Sequence, residues 1–236
     1  MLEALILFFS AFVHGLAGFA FALLAVPLLS LIRPLSEIVP VIALWGFTMN
    51  LILFWLMRRS FRLKPVLGLL LGAIPGIFLG AEALSLFPEK ILRFVLFFTV
   101  SGYCLWECFP RFRKIQLSPL WGPVFGFMAG FLGGMLNTPG PPVVIYVNLL
   151  RVGKDELKSA LQGVFMVMVG FMILAHGLYG RLGDSTLKAY LLYLPAVLFG
   201  MALGQGLYRR IGEVSYHRVI HLFLFLSALA ALLRAF

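Results

Sequence analysis

The longest uncharged stretch of the chain constrains its fold more than any other feature. Residues 115–150 contain no Asp, Glu, Lys or Arg over 36 positions. One helix of that length would reach about 54 Å, whereas the hydrocarbon core of a bilayer is about 30 Å thick. The stretch is therefore too long for one crossing and too short for two. Its centre, "GGMLNTPGPPVVIY" (133–146), holds three glycines and three prolines, which predicts that a helix stops and restarts inside the membrane.

The composition places the chain in a membrane. Hydrophobic residues make up 62% of it, charged residues 12%, and the mean hydropathy is +1.03, whereas soluble domains are about half apolar and about a quarter charged. The net charge of +10 could indicate nucleic acid, but the Lys and Arg residues lie in short links between apolar runs. We therefore predict an all-α polytopic integral membrane protein whose partner is the lipid bilayer and not nucleic acid. The start, "MLEALILFF", lacks the basic beginning of a signal peptide, so we expect it to be retained.

Charged clusters and turn residues divide the chain into eight apolar segments. A spanning helix needs about 20 residues, and most segments fit one crossing, while the first and fifth are too long. The segments are 5–32, 38–57, 65–87, 91–109, 117–150, 157–179, 187–208 and 219–233.

The two halves of the sequence resemble each other. Two short patterns recur in the same order, namely Ala-Gly-Phe at 17–19 and 129–131, and the pairs Gly76/Gly80 and Gly200/Gly204. Patterns that recur in a common order predict an internal duplication. The predicted repeats are residues 1–114 and 115–236, which together form one membrane domain.

Glycines spaced four residues apart form stripes in several segments. Because small residues let membrane helices approach closely, we predict that these stripes are packing faces. The glycines concerned are Gly68, Gly72, Gly76, Gly80, Gly122, Gly126, Gly130, Gly200 and Gly204.

The distribution of positive charge separates two topologies. If all eight segments crossed once, the 19 Lys and Arg residues would divide 9 to 10. If the first and fifth segments enter and return on one side, the division becomes 13 to 6, and the positive-inside rule places the 13 in the cytoplasm. Each repeat is then a broken or re-entrant first segment followed by three transmembrane helices. Three crossings per repeat would invert the second repeat relative to the first.

The 133–146 stretch supplies both a helix end and a new helix start. Proline is tolerated in a first helical turn, so Pro139, Pro141 and Pro142 suit the start of a helix over about 142–150. Asn137 and Thr138 are residue types that satisfy free donors at helix ends. Broken backbone at membrane depth must be buried in protein or line a wet cavity. A single proline-kinked helix is the alternative, and its length argues against it.

The first segment has a milder break at Gly15, Gly18 and Pro27, beside His14. We expect the two broken segments to meet near the midplane, where half-helix N-termini carry roughly +0.5 charge and free N–H donors that attract anions. No Lys or Arg lies in the middle of a segment, so backbone groups and uncharged side chains would hold an anion. Tyr146 and Gln162 either line a path or bond across helices, and His14 could relay protons. The candidate substrate-binding residues are His14, Gly18, Asn137, Thr138, Gly140, Pro142, Val143, Tyr146 and Gln162.

Two stretches resemble the TauE/SafE sulfite exporter family, also called TSUP. They are "GLAGFAFALLAVPLL" (15–29) and "GFMAGFLGGMLNTPGPPVVIYVNLL" (126–150), and the duplicated eight-segment layout extends the resemblance to nearly the whole chain. The family usually has a glycine cluster after the first Gly-Phe, where this chain has "AFA" (20–22). The resemblance implies transport of sulfite, sulfonates or other small anions across the inner membrane, usually as export.

Four classes of function remain open, and a secondary transporter or facilitator for a small anion leads. An anion channel needs the same break with a continuous wet path, and a proton-coupled carrier could work in uptake. An intramembrane enzyme would need a nucleophile motif, but neither G-x-S-x-G nor H-E-x-x-H occurs. A structural scaffold is the fourth.

Cys104 and Cys108 have no His or carboxylate cluster nearby, so we predict buried thiols, no metal and no cofactor. The sequence leaves open whether the chain forms a homo-oligomer.

Overall fold

The computed structural model describes residues 1–58, 62–108, 118–150 and 154–208, and within these ranges every regular element is helical. The predicted eighth segment, the Cys108 side chain and most of the predicted cytoplasmic Lys and Arg side chains lie outside the described residues. The helices are α1 (Leu2–Ala17), α2 (Phe21–Leu29), α3 (Leu35–Met57), α4 (Leu67–Leu86), α5 (Glu89–Cys108), α6 (Gly122–Leu136), α7 (Gly140–Leu149), α8 (Lys154–Leu178) and α9 (Asp184–Tyr208). Short 3-10 turns at Lys64–Val66 and Pro119–Trp121 precede α4 and α6.

Five of the described helical stretches are long and apolar enough to cross a membrane, in agreement with the predicted all-α polytopic membrane protein. They are Leu35–Leu56, Lys64–Leu86, Pro119–Leu136, Ser159–Leu178 and Asp184–Leu207. Helix α5 covers the predicted fourth crossing but is not one of these five. Helices α1 and α7 are apolar but shorter, as expected if the first and fifth segments do not each form one crossing helix.

The first segment folds as a hairpin of α1 and α2. Helix α1 ends at Gly18, whose φ of 85° is left-handed and whose N–H donates to the His14 carbonyl at 2.6 Å. Glycine suits this position because a side chain there would strain the backbone. Just beyond α2, Arg33 Nε contacts Glu3 Oε1 at 2.8 Å. Since Glu3 lies in the first turn of α1, the hairpin begins and ends at the same face of the protein.

The fifth segment folds as a second hairpin, from α6 and α7. Helix α6 ends at Asn137, whose φ is 54° and whose N–H donates to the Gly133 carbonyl at 2.7 Å. Near the end of α7, the Tyr146 hydroxyl lies 3.3 Å from the Pro65 carbonyl oxygen and 3.4 Å from that of Pro119. Pro119 directly precedes α6, so this hairpin also begins and ends at one face. Pro65, at that face, comes after the end of α3, whereas Arg33, at the face of the first hairpin, comes just before the start of α3. The hairpins therefore enter from opposite faces.

Glycine stripes bring two pairs of helices, α4 with α6 and α1 with α9, into direct backbone contact. A Cβ on Gly80 would overlap the Phe131 carbonyl oxygen, and one on Gly204 would overlap that of Phe12. The packing role predicted for these glycines is therefore confirmed. Any larger residue would push the helices apart.

The two glycine interfaces repeat one another. In α1, Gly15 faces the backbone of Met201 and Gln205. In α6, Gly134 faces the backbone of Ile77 and Ala81. Gly134 lies 119 residues after Gly15, and Met201 and Gln205 lie 124 residues after Ile77 and Ala81. The glycine pairs matched from sequence, Gly76/Gly80 with Gly200/Gly204, follow the same 124-residue offset.

The stretches 17–19 and 129–131, which share a sequence pattern, differ in structure. Gly18 ends α1 in a left-handed conformation, whereas Gly130 lies within α6 against Ala73. The residue that ends α6 in the same conformation is Asn137. Asparagine is one of the few residues besides glycine that adopt this conformation, so the ends of α1 and α6 share a backbone shape without sharing a residue type.

Candidate functional site

The inner ends of the two hairpins border one small cavity. It has a volume of about 30 Å³, whereas a single water needs roughly 10–15 Å³. Its walls come from both breaks and from the two helices that pack beside them. The lining residues include 21–23 after the first break, 137–140 at the second, Gly46 and Asn50 of α3, and Phe165 and Val169 of α8.

Two helix N-termini converge on this cavity. Helix α2 begins at Phe21 and α7 at Gly140, and both residues line the space. At about 1.5 Å per residue, their nine and ten residues reach about 14–15 Å, which is half of a 30 Å hydrocarbon core. A hairpin that starts at either face therefore turns close to the midplane, where the sequence analysis expected the two breaks to meet.

The two N-termini differ in the donors that they offer. In α2 the first N–H, on Phe21, donates to His14 Nδ1 at 3.4 Å. The next two, on Ala22 and Leu23, occupy first-turn positions that lack an acceptor within the helix. In α7, Pro141 and Pro142 have no N–H, and the Val143 N–H donates to the Pro139 carbonyl at 3.4 Å.

The N–H of Gly140 is therefore the donor that α7 presents at the cavity. Pro142 and Val143 are buried within α7 and do not line the space. Val143 was expected to offer an anion donor, but its N–H already serves the turn that starts the helix.

Asparagine amides supply the polar groups of the cavity wall. The side chain of Asn137 is only 2% exposed and makes no hydrogen bond with the described residues. Asn50 Oδ1 is also buried, and it has no hydrogen-bond partner among the described residues. Because an unpaired buried amide costs about 1–3 kcal/mol, both amides gain from a polar guest. Asn50 was not among the predicted site residues, although its amide in the middle of an apolar segment was a signal for it.

Thr138 and His14 also border the cavity, each with a second role. The Thr138 N–H and hydroxyl both point at the Leu132 carbonyl, at 3.4 and 3.5 Å, and so cap α6. His14 is 2% exposed, and its Nδ1 accepts the Phe21 N–H. The neutral imidazole therefore carries its proton on Nε2, which makes it a hydrogen-bond donor there.

Gln162 acts on the first break rather than on the cavity. It is fully buried in α8, and its Nε2 donates to the Gly18 carbonyl, which ends α1. Its Oε1 is buried without a partner among the described residues. The side chain thus holds the turn between α1 and α2 from a helix of the other half.

Of the candidate residues, the structure brings four to the cavity and leaves five outside it. Tyr146 lies furthest along α7, with its hydroxyl at the end of the hairpin. Those at the cavity are His14, Asn137, Thr138 and Gly140, and those outside its lining are Gly18, Pro142, Val143, Tyr146 and Gln162.

The chemistry of the cavity suits a small anion. Among the residues that the structure describes, no charged side chain lines it, so the positive field comes from two helix N-termini, each worth roughly +0.5 charge. The hydrogen-bond donors are backbone N–H groups and the uncharged side chains of Asn137, Asn50 and His14. Within the described ranges no three His, Cys, Asp or Glu residues could hold a metal ion together.

A comparison with protein families yields one match of nearly full length. The model for "Sulfite exporter TauE/SafE" matches residues 3–231. Neither a curated protein nor a solved structure matches the chain significantly.

Proposed function

This chain belongs to the TauE/SafE sulfite exporter family, and on that premise we propose that it exports a small oxyanion, such as sulfite or an organosulfonate, across the inner membrane. Family membership makes it a multi-pass membrane transporter of sulfur-containing anions. The observation that carries the proposal is the cavity where α2 and α7 begin. It combines two helix N-termini with unpaired amides, and its described lining holds no charged side chain, so an anion meets donors without a competing carboxylate from that lining.

The size of the cavity favours a carrier over a channel. A space of about 30 Å³ between two hairpin ends holds a group of a few atoms and is not a continuous wet path. We therefore propose a carrier in which movement of one hairpin relative to its surroundings releases the anion.

Two inverted repeats, residues 1–114 and 115–236, explain the arrangement. Support comes from the constant offsets of the two glycine interfaces and from the hairpins that enter from opposite faces. Arg58, Arg62 and Lys64 follow α3 at the face of the α6–α7 hairpin, so the positive-inside rule makes that face cytoplasmic. The α1–α2 hairpin then enters from the outer side.

The membrane potential is sufficient to drive export. Moving one charge through 100 mV is worth about 2.3 kcal/mol, or roughly a 50-fold gradient. A negative cytoplasm pushes an anion outwards, and a divalent anion gains twice that free energy. The proposed mechanism is therefore electrogenic and uncoupled.

Proton-coupled transport, including uptake, is the second candidate, and the position of His14 favours it. A histidine at the cavity could carry a proton together with the anion. Flux of methanesulfonate in proteoliposomes separates the two mechanisms, because this sulfonate does not titrate near neutral pH. Flux that follows the membrane potential supports export without coupling, whereas flux that follows a pH gradient at zero potential supports the second candidate.

A matched pair of asparagine variants tests the site itself. Asn50→Leu removes an amide from the cavity and keeps the branched shape of the side chain, so we expect a higher KM for sulfite. Asn148 lies in α7 outside the cavity, and its Nδ2 donates to the Val144 carbonyl at 2.9 Å, so Asn148→Leu should leave KM unchanged. Equal effects of both substitutions, or no sulfite flux in the wild type, would contradict the proposal.

A further inference from the structure

A second and larger cavity opens at the face where α1, α3 and α9 begin and α2 ends. Its volume is about 400 Å³, and we call it the vestibule. Its polar lining includes Glu3, Arg33, Glu37, Arg181 and Ser185. The function proposed above assigns no role to this space.

The two arginines of the vestibule differ in how their charge is balanced. Arg33 contacts the Glu3 carboxylate at 2.8 Å. Arg181 has no carboxylate partner among the described residues. Its Nη1 lies 3.0 Å from His176 Nδ1, and its Nη2 donates to Ser85 Oγ. Because a guanidinium can only donate, His176 Nδ1 is the acceptor and the ring is neutral, so it balances none of the charge.

Partial burial makes the uncompensated charge of Arg181 more costly. It lowers the pKa of the Arg181 guanidinium below its usual value, and Tyr179 partly offsets that effect. The group nevertheless stays a cation at neutral pH. A guanidinium that has lost part of its water and has no carboxylate partner in the described part of the chain gains most from an oxyanion, which it binds with two parallel hydrogen bonds.

The rest of the vestibule adds donors and one opposing charge. Helices α3 and α9 both begin there, and Ser36 and Ser185 in their first turns line the space. These N-termini add positive partial charge. Glu37 lines the same space and repels an anion. The combination fits a site that binds weakly enough to release its ion.

We propose that the vestibule is a second anion site, in which Arg181 holds the oxyanion on its way between the central cavity and the outer side. The identity of the ion rests on the function proposed above. The binding itself does not, because it needs only the uncompensated guanidinium.

Calorimetric titration of the detergent-solubilised protein with sodium sulfite, at fixed pH and ionic strength, tests the vestibule. The Asn137→Ala background weakens the central site, so the remaining binding reports on Arg181. Arg181→Gln in this background should weaken that binding about 10- to 150-fold, as expected for hydrogen bonds to a charged group. Lys188→Gln removes an exposed charge of α9 that does not line the vestibule, and should change nothing. Equal effects of the two substitutions would overturn the inference.

Glu37→Gln provides a test that does not depend on the stability of the Arg181 variant. Loss of the opposing carboxylate should tighten sulfite binding about 2- to 5-fold, the size of an exposed charge interaction. Unchanged or weaker binding would overturn the inference.

Flux separates failure of the vestibule from failure of the proposed function. Arg181-dependent binding in a protein that does not move sulfite would refute only the transport proposal. Sulfite flux without Arg181-dependent binding would refute only the vestibule.

Discussion

Replacement of Asn137 can separate the chemistry of its side chain from the shape of its backbone. The residue has a φ of 54°, and alanine in that conformation costs about 1–2 kcal/mol. The amide contributes separately, since loss of a buried hydrogen-bond partner weakens binding by about 1–3 kcal/mol, or about 5- to 150-fold. Asn137→Gly removes the amide but adopts the left-handed conformation easily. Asn137→Ala carries both costs.

Concentration-dependent sulfite flux in proteoliposomes measures the effect of the lost amide on binding. Thermal unfolding in detergent measures the cost of the backbone conformation. We expect both variants to raise KM by a similar factor within that range, and only Asn137→Ala to lower the Tm. Asn137→Asp should raise KM further, because a carboxylate at the cavity repels the anion. A wild-type KM in Asn137→Gly would show that this residue only shapes the turn, and the anion-site argument would be refuted.

Three further substitutions follow from the described contacts. Gly204→Ala should lower the free energy of unfolding by about 1–3 kcal/mol, as overpacking does, because its Cβ would overlap the Phe12 carbonyl oxygen. The Tm should therefore fall. Gly102 has open space around it, so Gly102→Ala should leave the Tm unchanged. Tyr146→Phe should lower stability by about 0.5–1.5 kcal/mol without changing the KM for sulfite, since its hydroxyl lies outside the cavity, and a raised KM would return this residue to the anion path. His14→Gln should leave the response of methanesulfonate flux to the membrane potential intact, and a dependence on pH gradient that disappears in this variant would establish proton coupling.

Much of the fold follows from where the sequence interrupts its apolar runs. The length of the fifth segment and the prolines within it predicted a broken helix, and the structure breaks it between Leu136 and Gly140. The break after Gly18 was expected from weaker signals, because two glycines mark it and the nearest proline, Pro27, lies within α2. The spacing of the glycines predicted close helix packing, but only the structure shows that the stripes join α4 to α6 and α1 to α9.

The site was harder to predict than the fold, for physical reasons. A pattern of residue types identifies a helix start, but hydrogen bonds decide which N–H groups stay available, and the Val143 N–H is engaged by the Pro139 carbonyl. An amide in the middle of an apolar segment was a signal for Asn50, but only the packing of α3 beside both breaks brings it to the cavity. Gly18 and Asn137 end their helices in the same left-handed conformation, a likeness that the residue types do not reveal.

The contact between α1 and α9 also governs how the chain reaches its folded state. Gly15 packs against the backbone of Met201, which is synthesised 186 residues later. At about 5–20 residues per second, α1 waits about 10–40 s for this partner. Until then Ser10 and His14, both buried in the finished protein, must stay in the lipid or beside the insertion machinery. The first half of the chain therefore cannot complete its packing alone, and the α1–α2 hairpin reaches its final contacts only when the second half has been inserted.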